Sequence, residues 1–156
     1  MIKLLRIDHR LLHGQVAVSW FNSLDVNTIL VANDAVAKDD FRKSAIRLAK
    51  PENAKLVMKS IDDSAKAINS GVTDKYKMLI TVESVADANK LIRDCNKKIT
   101  SLNIGGTKPR EETTNYSKAV NLTPQEVETL TELQNDHVDV YIQQVPNEKK
   151  QTFEQK

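Results

Sequence analysis

The chain has 156 residues, 40% of them hydrophobic, with 23 lysines and arginines against 21 acidic residues for a formal charge of +2. That length is one domain with a core of its own, and so balanced a charge provides no general polyanion surface, which removes nucleic acid as a partner. The single cysteine, Cys95, forbids an internal disulfide, and no run of 18 apolar residues is present to span a membrane.

Met1 to Leu5 is apolar enough for a first strand, with no extended apolar leader or cleavage site, so a cytoplasmic protein is expected. Gln15 to Leu24 places Val16, Trp20 and Phe21 at helical spacing. Thr28 to Ala32 is a continuous apolar run, as a strand covered on both faces requires. Asp34 is positioned to cap the next helix, whose Phe41, Ala45, Ile46 and Leu48 recur until Pro51. Ala54 to Met58 reads as a third strand, and Ser60 or Asp62 opens a helix that Gly71 terminates. Tyr76 to Thr81 is a fourth strand, followed from Glu83 or Ser84 by a helix bearing Val85, Ala88, Leu91 and Ile92. Cys95 falls in that pattern as a small buried apolar residue.

Ile99 to Ile104 makes a fifth strand that runs into Gly105 and Gly106, and residues 111 to 116 lack periodicity and read as a polar loop. Ala119 to Leu122 is a short sixth strand. Thr123, Pro124 and Glu126 then form a capping box with proline at the first helical position. Val138 to Ile142 alternates like a half-exposed edge strand, and the polar tail from Asn147 is expected to fray. Strands alternating with helices predict an α/β domain over residues 1–146: an open, mainly parallel twisted sheet of about seven strands, helices on both faces, with room for an antiparallel edge strand. Residues 147–156 are the tail.

The chemistry concentrates between the first strand and first helix, in Arg6-Ile7-Asp8-His9-Arg10-Leu11-Leu12-His13-Gly14-Gln15-Val16. A turn at the carboxyl end of such a strand is where ligands of α/β sheets bind. His13 stands where a helix starts, and its neutral imidazole is a competent nucleophile near neutral pH. Helix amides and the forks of Arg6 and Arg10 suit a multiply charged oxyanion. Gly14 lets backbone approach such a group, and Asp8 can orient His13 or an arginine. The turn is expected to meet some of Asn33-Asp34, Thr81-Val82-Glu83 and Gly105-Gly106-Thr107, at the ends of other strands, in the same crevice.

Each element also has a plainer explanation. A histidine at an element boundary can be merely hydrogen-bonded, Asp8 can merely pair Arg6 or Arg10, and His137 is most simply structural or exposed. His9 and His13 have metal-pair spacing, but the helix begins too late and no Glu or Cys accompanies them, so no metal is expected. Neither Gly-x-x-x-x-Gly-Lys-Ser/Thr nor Gly-x-Gly-x-x-Gly is present, nor a Gly-x-Ser-x-Gly elbow.

The eleven-residue run, followed by Trp20, closely resembles the N-terminal signature of IIB subunits of the mannose/fructose/sorbose class of the bacterial sugar phosphotransferase system. The likeness continues through Val31-Ala32-Asn33-Asp34, Leu102-Asn103-Ile104-Gly105-Gly106 and Gln144-Val145-Pro146. The resemblance implies that His13 is transiently phosphorylated by a IIA phosphohistidine and passes the group to a sugar held by membrane IIC and IID subunits. It implies that Arg10, Arg6, Gly14 and Gln15 hold the phosphoryl group, that Asp8 orients His13 or Arg10, and that no cofactor is used. His9 occupies a variable slot of that signature. A phosphohistidine phosphatase or mutase and a non-catalytic phosphometabolite-binding module are the alternatives; the former would place arginine directly before His-Gly, where Leu12 stands.

Overall fold

The computed structural model describes residues 1–156. Its chain runs β1 (Ile2–Asp8), α1 (Gly14–Ser23), β2 (Thr28–Ala32), α2 (Asp34–Ala37), α3 (Asp40–Leu48), β3 (Lys55–Lys59), α4 (Ile61–Ser70) and β4 (Met78–Val82). It continues through α5 (Val85–Asp94), β5 (Ser101–Gly106), β6 (Thr114–Ser117), β7 (Val120–Leu122), α6 (Pro124–Asn135), β8 (Asp139–Ile142) and β9 (Gln151–Thr152). The main sheet has seven strands in the order β3-β2-β4-β1-β5-β8-β9, all parallel except β9, which pairs antiparallel with β8.

Apolar side chains on the two faces of this sheet form separate clusters. One packs Ala17 and Trp20 of α1, Val36 of α2 and Ile46 of α3 against Leu4, Ile29, Val31 and Leu79. The other packs α4, α5 and α6, through residues such as Ile68, Leu91 and Leu130, against Leu5, Ile7, Ile80 and Ile104. The chain leaves β1 toward the first face, whereas its neighbours β4 and β5 lead to the second. That divergence opens a crevice at the carboxyl end of β1.

Several elements differ from the sequence reading. β1 extends to Asp8, so Arg6 and Asp8 are strand residues rather than turn residues. Asn33, not Asp34, caps the helix after β2, which stops at Ala37; Asp39 then starts α3 with its own cap. Residues 114–117 are not loop but pair antiparallel with β7 in a separate hairpin, so the strand read at residues 119–122 does not join the main sheet. β8 is no edge strand: β5 flanks it on one side and β9 on the other, and Val140 to Ile142 are buried. The tail does not fray, because Phe153 is buried 5.5 Å from the Tyr116 ring and its amide donates to Val140 O. One aromatic in ten polar residues is enough to anchor it, since a buried phenyl ring removes a large apolar area from water.

Candidate phosphoryl-transfer site

β1 alternates faces, which puts Leu4, Arg6 and Asp8 on the α1 side of the sheet. Two charged residues inside a covered sheet need partners, and Arg6 has them. Its guanidinium, 4% exposed, donates to Asn103 Oδ1 at 2.7 Å, to the carbonyls of Gln143 at 3.1 Å and Gln144 at 3.0 Å, and to Asp8 Oδ2 at 3.4 Å. Trp20 lies under it at 5.3 Å, with its indole N–H on the Gln144 carbonyl as well. Burial lowers the pKa of this guanidinium, while the Asp8 carboxylate pulls it back up. Arg6 therefore ties β1, β5 and the segment after β8 together, and its terminal N–H groups are occupied by the protein itself.

Gly105 is required by the same arrangement. A Cβ there would fall 2.1 Å from the Arg6 Cζ, so only glycine leaves the guanidinium its place.

Asp8, 2% exposed, divides its carboxylate. Oδ2 faces Arg6, while Oδ1 accepts from the Arg10 backbone N–H at 3.0 Å and lies 3.5 Å from Arg10 Nε. It thus orients Arg10 and the turn rather than His13. The turn is held further by His9 N–H to Gly106 O at 3.1 Å, Leu11 N–H to Asp8 O at 2.8 Å, and the Thr81 hydroxyl to Leu11 O at 3.0 Å. Leu11 adopts φ of +63° with its side chain buried, a left-handed conformation that costs a non-glycine residue free energy and persists because the surrounding bonds fix it.

His13 emerges from this turn as the N-cap residue of α1, in extended conformation, exposed, with no hydrogen bond from its side chain to the helix. The first amides of α1 thus lack the side-chain acceptor that N-caps usually supply and remain free for an anion. Gly14, at φ +36°, has open space where a Cβ would be, and Gln15 beside it is exposed. Arg10 is 38% exposed, with Asp8 as its only ion-pair partner.

The two histidines face different depressions. His13 lines a narrow one with Leu12, Val16, Trp20 and Thr81, whereas His9 lines another, of about 350 Å³, with Glu83, Thr107, Lys108 and Arg110. His9 Nδ1 is buried without a hydrogen-bond partner, 3.9 Å from Asp8 Oδ1. No group of three or more His, Cys, Asp or Glu side chains converges in a manner suited to a metal.

Asn33 and Asp34 do not join the site: Asn33 Oδ1 accepts from Val36 N–H and Asp34 Oδ1 from Ile61 N–H. Gly105 and Gly106 do, as the floor beneath Arg6 and beside Asp8 and His9. Thr81 meets the turn as expected, through its hydroxyl on Leu11 O, and two residues outside the candidate set complete it, Asn103 and Trp20. Asn103 had a readable signal, a lone amide inside an apolar strand. A depression of about 550 Å³ lies at the other end of the sheet around Arg93, Asn96 and His137 and is unconnected to this turn.

The fold and turn together define an open, mainly parallel α/β domain that presents an exposed histidine, at the start of its first helix, beside an arginine-bearing turn. The family model for the PTS system sorbose subfamily IIB component matches residues 2–156, and the chain belongs to that family. It is 30% identical over 96% of its length, and 95% of the relative's, to a protein described as a probable phosphotransferase enzyme IIB component of Streptococcus pyogenes. It is 31% identical to the mannose-specific EIIAB component of Escherichia coli, with 96% of the chain aligned to 46% of that longer relative. Its fold superimposes on the IIB domain of the sorbose permease from Klebsiella pneumoniae with TM-score 0.90 at 28% identity, covering 97% of this chain and 93% of that one. The N-acetylgalactosamine-specific IIB component 1 of Escherichia coli gives 0.91 at 26%, covering 99% and 100%. The protein is thus a phosphotransferase-system IIB component, a phosphotransferase of sugar uptake whose family implies IIA and IIC partners. No helix is long and apolar enough to cross a membrane.

Proposed function

We propose that His13 carries the phosphoryl group, receiving it from a phosphohistidine of the IIA component and passing it to a sugar bound by the membrane IIC and IID subunits. The reading rests above all on the exposed imidazole that starts α1 without capping it, three residues after an arginine with a single carboxylate partner.

In the first transfer, the lone pair of a neutral His13 ring nitrogen attacks phosphorus in line with the donor's P–N bond. The electron pair of the breaking bond stays on the donor nitrogen, and the proton shed by the other nitrogen of His13 restores the donor imidazole to its neutral form. Charge in such transfers spreads over three phosphoryl oxygens, so catalysis is mostly positioning and electrostatic stabilisation. The free amides of α1 and the Arg10 fork supply the second; Gly14 leaves room for the oxygens, and the Gln15 amide is available to bond one of them. Asp8 positions Arg10, and Arg6 holds the floor. The second transfer repeats the chemistry with a sugar hydroxyl as acceptor, at the cytoplasmic face of the transporter. No cofactor is needed, because phosphoenolpyruvate supplies the group upstream.

Incubation with phosphoenolpyruvate, enzyme I, HPr and IIA is expected to add one acid-labile phosphate per chain, lost in His13→Ala and kept in His9→Ala. Unmodified wild-type protein would sink this reading, and rapid release of free phosphate without sugar would make the protein a phosphatase.

A further inference from the structure

Phe41 and Leu48 are the most exposed large apolar side chains in the molecule, at 84% and 89%. They lie seven residues apart on α3, so they share one face of that helix, with exposed Ala45 between them. α3 turns Ile46 into the core and leaves this second apolar stripe to solvent. Single exposed leucines are ordinary on a protein surface, but an aromatic and a leucine aligned on one short helix mark an interaction face.

The stripe borders the phosphoacceptor turn. A groove of about 220 Å³ between them is lined by Arg10, Leu11, Leu12, Arg42, Ala45 and Ile46. The segment that carries it is also basic. Residues 38–50 carry Lys38, Arg42, Lys43, Arg47 and Lys50 against Asp39 and Asp40, a larger excess than that of the whole protein. Asp39 is committed to capping α3, and Arg42 meets Glu83 only at 3.8 Å.

We propose that this face of α3 is the seat of the phosphorylated IIA donor, an inference that rests on His13 being the acceptor. The donor arrives with a phosphoryl group of roughly −1.5 to −2 charge, and a basic surface beside the acceptor steers such a partner and raises its association rate. Phe41 and Leu48 provide the apolar anchor that most interfaces centre on. Charge disfavours the membrane subunits here, because cytoplasmic loops of membrane proteins are enriched in lysine and arginine and would repel the patch. Transfer also loosens the seat. The phosphoryl group leaves the donor and settles on His13, so the departing donor is less negative and the surface it leaves less positive. The donor face that fits is an apolar patch rimmed by carboxylates.

The test uses the full chain with Phe41→Ser and Leu48→Ser combined, which exposure predicts will fold and melt like wild type. Initial rates of His13 phosphorylation, titrated with phosphorylated IIA, should show KM raised about tenfold with kcat unchanged. Lys43→Glu with Arg47→Glu should raise KM less and flatten its dependence on salt. An unchanged KM in the serine variant overturns the proposal. So does a defect confined to transfer from phosphorylated variant to sugar in membrane vesicles, which would assign the face to the membrane subunits. Failure of wild type to be phosphorylated at any donor concentration removes the acceptor reading itself, a different result from an unchanged KM.

Discussion

Arg6 and Arg10 stand four residues apart in one motif and have opposite fates. Arg6 ends buried, its fork spent on Asn103, Asp8 and two carbonyls, whereas Arg10 is 38% exposed and ion-pairs with Asp8 alone. The boundary is the last residue of β1. Before it, charge is used to lock strands together; beyond it, on a turn fixed by hydrogen bonds to the Gly106 carbonyl and from the Thr81 hydroxyl, charge is left exposed. A motif legible as one functional unit is thus two, a buried half and an exposed half, joined by the two oxygens of Asp8.

Substitutions can break that division, and the largest effect is expected at His13. His13→Ala should abolish phosphate acceptance while moving the melting temperature by no more than about 1 °C, since the side chain is exposed and bonds nothing. Loss of folding in this variant would show that the exposed half is structural too. Next comes Arg6→Met, which strands Asp8 and two carbonyls. Removing one partner of a buried ion pair costs about 3–5 kcal/mol, and chemical denaturation should show it. Gly105→Ala should fall in the same direction, by about 1–3 kcal/mol, because its Cβ displaces the same guanidinium. If either variant instead kept full stability and lost only activity, Arg6 would belong with the phosphoryl group after all.

Arg10→Ala reverses the pattern. The rate of His13 phosphorylation should drop about a hundredfold, the scale of losing one charge-stabilising donor, with stability changed by less than about 1 kcal/mol as for an exposed ion pair. Parallel losses of rate and stability would place Arg10 in the frame.

How much of this was readable from residues depended on the distance over which each was satisfied. β2 has the bounds its continuous apolar run indicates, and the Thr123–Glu126 capping box and the Gly71 left-handed cap formed as their local chemistry requires. Arg6 and Asp8 looked like turn residues because the groups that make their burial tolerable, Asn103 and the carbonyls of Gln143 and Gln144, lie on β5 and after β8. Phe153 was hidden in the same way: nothing near it in sequence indicates the Tyr116 ring it packs on. That polar and charged groups gather on this turn was local information, whereas which of them are buried and which exposed was not.

His9 lies on the boundary between the two halves, and the smallest effect is expected there. Its Nδ1 is buried without a partner, a cost of about 1–3 kcal/mol that the packing of the ring over Gly106 must offset. His9→Ala removes both the cost and the packing, so its net effect on stability should stay within about 1 kcal/mol, and the phosphate count should remain one. A stoichiometry falling toward zero would instead tie His9 to the reaction, through Asp8 Oδ1 at 3.9 Å and from there to Arg10. The motif would then have three working side chains on its turn rather than two.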